Sequence, residues 1–505
     1  MSDRKQQMLK GRLTCTAVVL LAAMVAPMVG CGRDNGPGGE NGPSDAAIPS
    51  RDAAKVAIDE IIQPLIDDQW ARAVVVGTVT EQHSEILSYG QLSVNDPGQP
   101  DADTVFEIGS LTKVFTALLL ADMVQRGEVL LDDPIHDYLP ADVQVPTGSR
   151  GDIRLVDLAT HTSSLPNVAA NFWEDGDNIY DPDTAGRRWS GYTQNQLFES
   201  LRSHSSPIGE KAEFAYSNLG MGLLGHLLEL KSGKSYEELL IERICEPLEM
   251  NNTRLTLNKD MMERRAQGHN ADSQPSEPWD GQTSALAGAF AIRSTPHDLM
   301  VFLKANLGLT DSPLSSAIAA THTERFKRND LEQVGLGWNL NKYGVVFHSG
   351  TTGGFRCSMF LLPELKVGTF VITDTQVGGA TDARAGEFEK VGGSLINALV
   401  GAPPLPLTLP KAASRGSDQL TDFIGQYNLR PDDSDGLRIT VVDEKLHALI
   451  PGRVTRQLHP QAKDTFFMKE YDVELAFERD DEEKVQGVSA RIGGRSQALR
   501  RVLTE

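Results

Sequence analysis

Apolar positions recur along this chain with three different periods, and each period predicts a different element. From Leu13 to Val29 they run on without a charge, which is too short and wrongly flanked for a stable membrane span. Helical spacing governs the stretch near Ala53 to Asp68. It returns in "FEIGSLTKVFTALLLADMVQRG" (Phe106 to Gly127) and "EFAYSNLGMGLLGHLLELKSG" (Glu213 to Gly233), two runs that are apolar almost all the way round and therefore predict helices buried on every side. Strand-like runs flank this helical middle. "RAVVVGTVTEQHSEILSYG" from Arg72 predicts a hairpin, and "GVVFHSGTTGGFRCSMFLLP" from Gly344 with "VGTFVITDT" from Val367 predicts a second set of strands. Strands from both ends must then meet in one antiparallel sheet packed with helices. Beyond residue 417 short alternating runs, "LRITVVD", "LHALIP", "DTFFMK" and "DVELAFE", are spaced by turn residues and predict a small all-β unit, a barrel or a sandwich. No internal repeat is evident.

Composition places the boundaries. Residues 32–50 are rich in Gly, Pro and Asn and predict a flexible tether, and residues 402–416, "APPLPLTLPKAASRG", predict a stiff proline-rich linker. The organisation expected is therefore a signal segment at 1–31, the tether at 32–50, a main domain at 51–401, the linker, and a C-terminal domain at 417–505. With 505 residues, 40% of them hydrophobic, the chain can bury one large core and a smaller second one.

The first residues carry Arg4, Lys5, Lys10 and Arg12 before the apolar run, the layout of a secretory signal peptide. Its end, "MVGC", resembles a bacterial lipobox with Met28 where leucine is commoner. That resemblance implies lipidation of Cys31, and the glycine after it implies the outer membrane; plain cleavage into the periplasm is the alternative. The net charge is −21, and removing the signal takes away four basic residues and one acidic one. So acidic a chain is not expected to bind nucleic acid or an anionic lipid surface through a basic face. Cys245 and Cys357 are the cysteines left to the folded part, and two buried thiols are expected rather than a disulfide.

The chemistry-bearing candidates lie in the main domain. Ser110 and Lys113 stand three apart, on one face of a predicted helix that Gly109 opens and Gly127 can close. A serine hydroxyl needs a base beside it. A lysine amine can serve only if desolvation lowers its pKa, and Val114, Phe115, Leu118 and Leu119 supply an apolar interior. The spacing alone is weak, since it recurs at Ser2 and Lys5. Tyr216, Ser217 and Asn218 sit at the mouth of the second apolar helix, whose Gly220, Gly222 and Gly225 would allow close packing. "HSGTTGGF" runs from His348 to Phe355.

Taken in order, these three elements resemble the serine penicillin-recognising enzymes: class C β-lactamases, D,D-peptidases and their esterase relatives. The resemblance covers roughly Ala53 to Val400 and is supported by "LVDLATHTSSLPN", "ALAGAFAIRSTPHDLMVFLKANLG" and "VGLGWNL". It implies an α+β fold, an antiparallel sheet flanked by helices with an all-helical subdomain beside it, followed here by the small all-β tail. It implies Ser110 as nucleophile, Lys113 as base or proton relay, Tyr216 as proton exchanger, and Asn218 as the amide that holds a substrate carbonyl. His348, Ser349 and Gly350 match the strand triplet, with the N–H groups of Ser110 and Thr351 as oxyanion donors. The activity implied is acyl transfer from a β-lactam, a D-Ala-type peptide or a carboxylic ester, by a monomer with no metal and no cofactor. His-Ser-Gly replaces the Lys-Thr-Gly usual in class C β-lactamases, and Thr112 stands where that group usually has serine or alanine. His348 is expected either to lend positive charge to a substrate carboxylate or to hydrogen-bond near Tyr216, and His161 in "THTSSLP" reads as structural. No G-x-S-x-G points to an α/β-hydrolase and no H-x-H-x-D to a zinc hydrolase. A tethered sensor that acylates without turnover is the alternative from another class.

Overall fold

Ser50 accepts the N–H of Ala53 and starts α1 (Arg51–Asp67), which buries Ile58, Ile61, Ile62 and Leu65 on one side. In this computed structural model the described residues are 48–92, 98–147, 151–175, 177, 181–204, 211–377, 383–413, 420–430, 436–450 and 455–502. The signal segment, nearly all of the tether and Cys31 lie outside them.

After α1 come β1 (Ala73–Val79) and β2 (Ser84–Gly90), the hairpin expected from the alternation. The short pair β3 (Phe106–Glu107) and β4 (Arg293–Ser294) stands apart. Near the chain's other end follow β5 (Phe326–Lys327), β6 (Glu332–Val334), β7 (Asn339–Asn341), β8 (Val346–Thr351), β9 (Arg356–Leu362) and β10 (Val367–Thr373). They assemble one sheet in the order β2-β1-β10-β9-β8-β7-β6-β5, with every pairing antiparallel. Strands from both ends of the domain thus meet at β1 and β10, where Val74 faces Thr373 and Val79 faces Gly368.

Every residue of β1 and β10 is buried, which an antiparallel sheet open to water on one face would not allow. The period of two sorts their side chains between two cores. Val75, Val79, Phe370 and Ile372 join the large core on one face. Val74, Val76, Val371 and Val367 join a second core on the other face, with α1 and the C-terminal helix α4 (Ala383–Leu399). The large core is built around α2 (Thr112–Gln125) and α3 (Asn218–Ser232), the two runs apolar on all sides. Cys245 and Cys357 are both buried and free.

The C-terminal unit is a closed antiparallel barrel of eight strands, β11 (Gly425–Asn428), β12 (Leu437–Val442), β13 (Lys445–Leu449), β14 (Thr455–Ala462), β15 (Thr465–Phe467), β16 (Val473–Arg479), β17 (Val485–Ile492) and β18 (Arg495–Val502). Of the two sequence alternatives, the barrel is the one formed. Closure leaves no free sheet edge. Phe423, Tyr427, Phe466, Met468 and Phe477 fill a core of its own. The barrel also touches the main domain: Phe467 stacks on Trp70 at 5.9 Å, Lys469 donates to the Gln69 carbonyl at 2.5 Å, and His459 Nε2 lies 2.8 Å from Asp272 Oδ1. No helix among the described residues is long and apolar enough to cross a membrane.

Candidate active site

Gly109 takes φ +52°, a conformation glycine adopts without cost, and turns the chain from β3 into a short 3-10 turn, Gly109–Leu111, that runs into α2. Ser110 is therefore two residues ahead of the α-helix proper, half-buried, while Lys113 is fully buried. Lys113 Nζ stands 2.8 Å from Ser110 Oγ and donates to the Ala289 carbonyl at 2.7 Å. Burial holds the amine well below the usual lysine range. One N–H given to a carbonyl leaves the lone pair of a neutral amine for the serine proton.

The Ala289 carbonyl is put there by packing. A 3-10 turn at Ala287–Ala289 lies on α3, where a Cβ added to Gly225 would stand 3.0 Å from Gly288 Cα, so the close approach needs glycine on both sides. Three residues of the α2 start hold the segment: Thr112 Oγ1 accepts Ile292 N–H at 3.1 Å, Lys113 bonds Ala289, and Thr116 Oγ1 donates to the Gly288 carbonyl at 2.6 Å. The unusual Thr112 thus has a structural task.

Tyr216 precedes the N-terminus of α3, where Ser217 Oγ accepts Gly220 N–H at 2.8 Å as the cap. The Tyr216 ring centroid lies 5.1 Å from Lys113 Nζ. Asn218 Nδ2 donates to Asn167 Oδ1 at 2.6 Å.

Strand β8 supplies the remaining wall. A Cβ on Gly350 would stand 1.9 Å from the Ile108 oxygen and 2.8 Å from Ser110 N, and one on Gly109 would stand 2.7 Å from Thr351 N. The backbones that carry the Ser110 and Thr351 N–H groups are therefore in direct contact. His348 is buried on the same face, and burial together with nearby Lys113 pushes its pKa down to about 3. Burial therefore favours a neutral His348, against the expectation that it lends positive charge.

Ser349 departs from its sequence assignment too. Side chains alternate along a strand, and with His348 and Gly350 toward the nucleophile turn, Ser349 faces the other side. Its hydroxyl donates at 2.5 Å to Glu389 Oε2 on α4, a carboxyl that burial raises against the opposing pull of Ser349 and Arg356. The structure therefore does not place the Ser349 side chain at the cleft. The sequence reading also missed Ala289 and Glu389. A main-chain carbonyl carries no side-chain signature; the close packing expected at Gly225 is met by Gly288, one residue before Ala289. Glu389 looks like any helix carboxylate until the sheet brings Ser349 onto it.

Ser110, Lys113, Tyr216 and His348 thus meet in one cluster, formed by three stretches up to 238 positions apart in sequence. Known proteins share this architecture. The chain is 30% identical over 306 residues to the D-alanyl-D-alanine-carboxypeptidase/endopeptidase AmpH of Escherichia coli K12, covering 56% of this chain and 74% of that protein. It is 29% identical over 370 residues to a beta-lactamase of Pseudomonas fluorescens, 65% of this chain and 95% of the relative. Among solved structures, a beta-lactamase/D-alanine carboxypeptidase from Yersinia pestis complexed with citrate superposes with a TM-score of 0.58 at 23% identity, over 70% of this chain and all of that one, which speaks to the fold. The Beta-lactamase family model matches residues 58–392, from α1 into α4 and short of the barrel. Because that match takes in the whole sheet and every residue of the cluster, the chain belongs to the beta-lactamase family of hydrolases.

Proposed function

We propose that the protein is a serine hydrolase that acts through an acyl ester on Ser110. The observation that carries this is the buried, depressed Lys113 amine 2.8 Å from a half-exposed Ser110 hydroxyl. Ser110 Oγ attacks the substrate carbonyl carbon as its proton passes to Lys113 Nζ. The carbonyl oxygen gathers charge against the N–H groups of Ser110 and Thr351. Tyr216, beside Lys113, relays the proton to the leaving nitrogen or oxygen as that bond breaks. Water then attacks the ester, its proton returns by the same route to Ser110 Oγ, and the acid departs. Asn218 and the backbone of His348, Gly350 and Thr351 hold the substrate.

The relatives are named for D-Ala peptide and β-lactam hydrolysis, and both classes remain within this proposal. The neutral His348 ranks neutral esters and amides ahead of substrates that need a fixed cation on that strand. Ser110→Ala is expected to abolish labelling by a fluorescent penicillin and to cut hydrolysis of p-nitrophenyl butyrate by at least about 10³-fold, with the melting temperature unchanged. Wild-type turnover in that variant removes Ser110 from the mechanism. Stoichiometric labelling without turnover in the wild type would make the protein a covalent binder instead.

We also propose that Cys31 anchors the protein to the cell envelope, the periplasm being the compartment served. The support is the signal-like run before it and the Gly/Pro-rich tether after it. Cys31→Ser should move the protein out of the membrane pellet. Recovery of the wild type from the soluble fraction sinks the proposal.

A further inference from the structure

We infer that His161 is the positioning residue for Tyr216: its main chain and imidazole take the amide protons on both sides of that tyrosine, and its ring packs, tilted, against the phenol. This rests on the acyl-transfer reading above. His161 follows the short helix Leu155–Ala159 and takes φ +57°, a left-handed conformation that a non-glycine residue adopts uncommonly. Only 4% of it is exposed. Its carbonyl accepts Ala215 N–H at 2.8 Å and its Nδ1 accepts Ser217 N–H at 3.2 Å. The ring centroid lies 4.5 Å from that of Tyr216 at a tilt of 38°, and Phe214 meets it edge-on at 5.8 Å.

A backbone N–H can only donate, so Nδ1 must be bare and the ring proton must sit on Nε2. Protonation would place a second hydrogen against Ser217 N–H. Burial, with Lys113, His348 and Arg328 nearby, keeps the imidazole neutral. The two backbone bonds hold residues 215 and 217 at fixed points, and the segment between them has little freedom except at the tyrosine side chain. The tilted ring contact limits that freedom too, on a phenol whose ring centroid lies 5.1 Å from Lys113 Nζ. The three contacts fall on Tyr216 and its two chain neighbours, Ala215 and Ser217.

The test uses the full chain with p-nitrophenyl butyrate and compares His161→Ala, His161→Asn and His161→Gln. Asparagine tolerates left-handed φ and carries its Oδ1 where Nδ1 sits, so it keeps the Ser217 bond; glutamine reaches past it. Because misplacing a group by about 1 Å costs about 10²-fold, His161→Ala and His161→Gln should lower kcat by that factor with KM within about twofold. His161→Asn should recover about tenfold of the loss. Folded alanine and glutamine variants with kcat within about twofold of wild type overturn the inference, as does an asparagine variant no better than glutamine. Should the alanine variant not fold, the asparagine and glutamine pair decides alone. Crystal structures of the asparagine and glutamine variants separate this inference from the reading it rests on. If the wild type proves not to turn over esters, a displaced Tyr216 ring only in the glutamine variant still supports the inference, and an unmoved ring in both overturns it.

Discussion

At the scale of single residues the site depends on which groups are charged, and burial decides that. Lys113 and His348 are both bases inside one low-dielectric pocket: burial holds the Lys113 amine down, and burial together with nearby Lys113 disfavours a proton on His348. The sign of the pH dependence follows. In the proposed mechanism the free Lys113 amine is the competent form, so kcat/KM should rise with pH through its depressed pKa and then stay level. His348, at about 3, is already neutral at pH 5, and burial holds His161 well below the usual imidazole range, so neither is expected to add a limb near neutral pH. A cationic His348 would instead lose its charge from pH 6 to pH 8, by more than tenfold for an ordinary pKa of about 6.5. The comparison is kcat/KM for a carboxylate-bearing cephalosporin against kcat/KM for a neutral p-nitrophenyl ester. Their ratio is expected to hold within about twofold over pH 6 to 8, and a drop approaching tenfold would restore the charged histidine.

Elements matter here through how closely their backbones approach. β8 lies flush against the turn that carries Ser110 because Gly350 has no side chain, and the Ile108 oxygen occupies the place a Cβ would take. Gly350→Ala cannot be absorbed by a flexible neighbour, since the atoms it meets are all main chain. Overpacking of this kind costs about 1–3 kcal/mol or more, and the strand must move away from the nucleophile turn to relieve it. The expected result is a folded variant of lower melting temperature whose kcat/KM falls about 10²-fold or more, read by steady-state kinetics beside a thermal melt. Activity within about twofold of wild type would show that the strand's position does not matter. Much of this level was legible in the sequence. The unbroken apolar runs of α2 and α3 announced buried helices, the alternation from Arg72 announced the β1–β2 hairpin, and the runs from Gly344 and Val367 announced the strand-rich stretch that forms β8, β9 and β10, without the break between β8 and β9. The two- and three-residue strands β5, β6 and β7 were not legible, because so short a run has no period to detect. At the candidate site, type and spacing pointed to Ser110, Lys113 and Tyr216, which the structure brings together. The outward turn of Ser349 was missed because strand parity relative to the nucleophile cannot be known until register is.

For the molecule as a whole, the question is what the barrel contributes to the domain it is docked on. Every group in the candidate site comes from residues 108–351, and Glu389 behind it is also upstream of the linker, so chemistry should not need residues 420–502. The turn that receives the barrel through Asp272 is held without it: His269 N–H reaches the Gly354 and Asp374 carbonyls, and Asn270 and Gln274 bond each other. Stability is another matter. Phe467 is a member of the core shared with α1 and α4, and its partner Trp70 is only 2% exposed. A chain ended at residue 413 leaves that indole face, the Gln69 carbonyl and Asp272 without their barrel partners. Uncovering one large aromatic contact is worth about 1.5–3 kcal/mol. At about 2–4 °C per kcal/mol for a domain of this size or somewhat smaller, the main-domain melting temperature should fall by roughly 3–12 °C. Ester turnover per folded molecule should stay within about threefold of the full chain, since no active-site backbone is released. Thermal denaturation and active-site titration of the shortened protein test both halves. An unchanged melting temperature would show the interface to be energetically idle, and a folded but inactive protein would show that the barrel holds the cleft in shape.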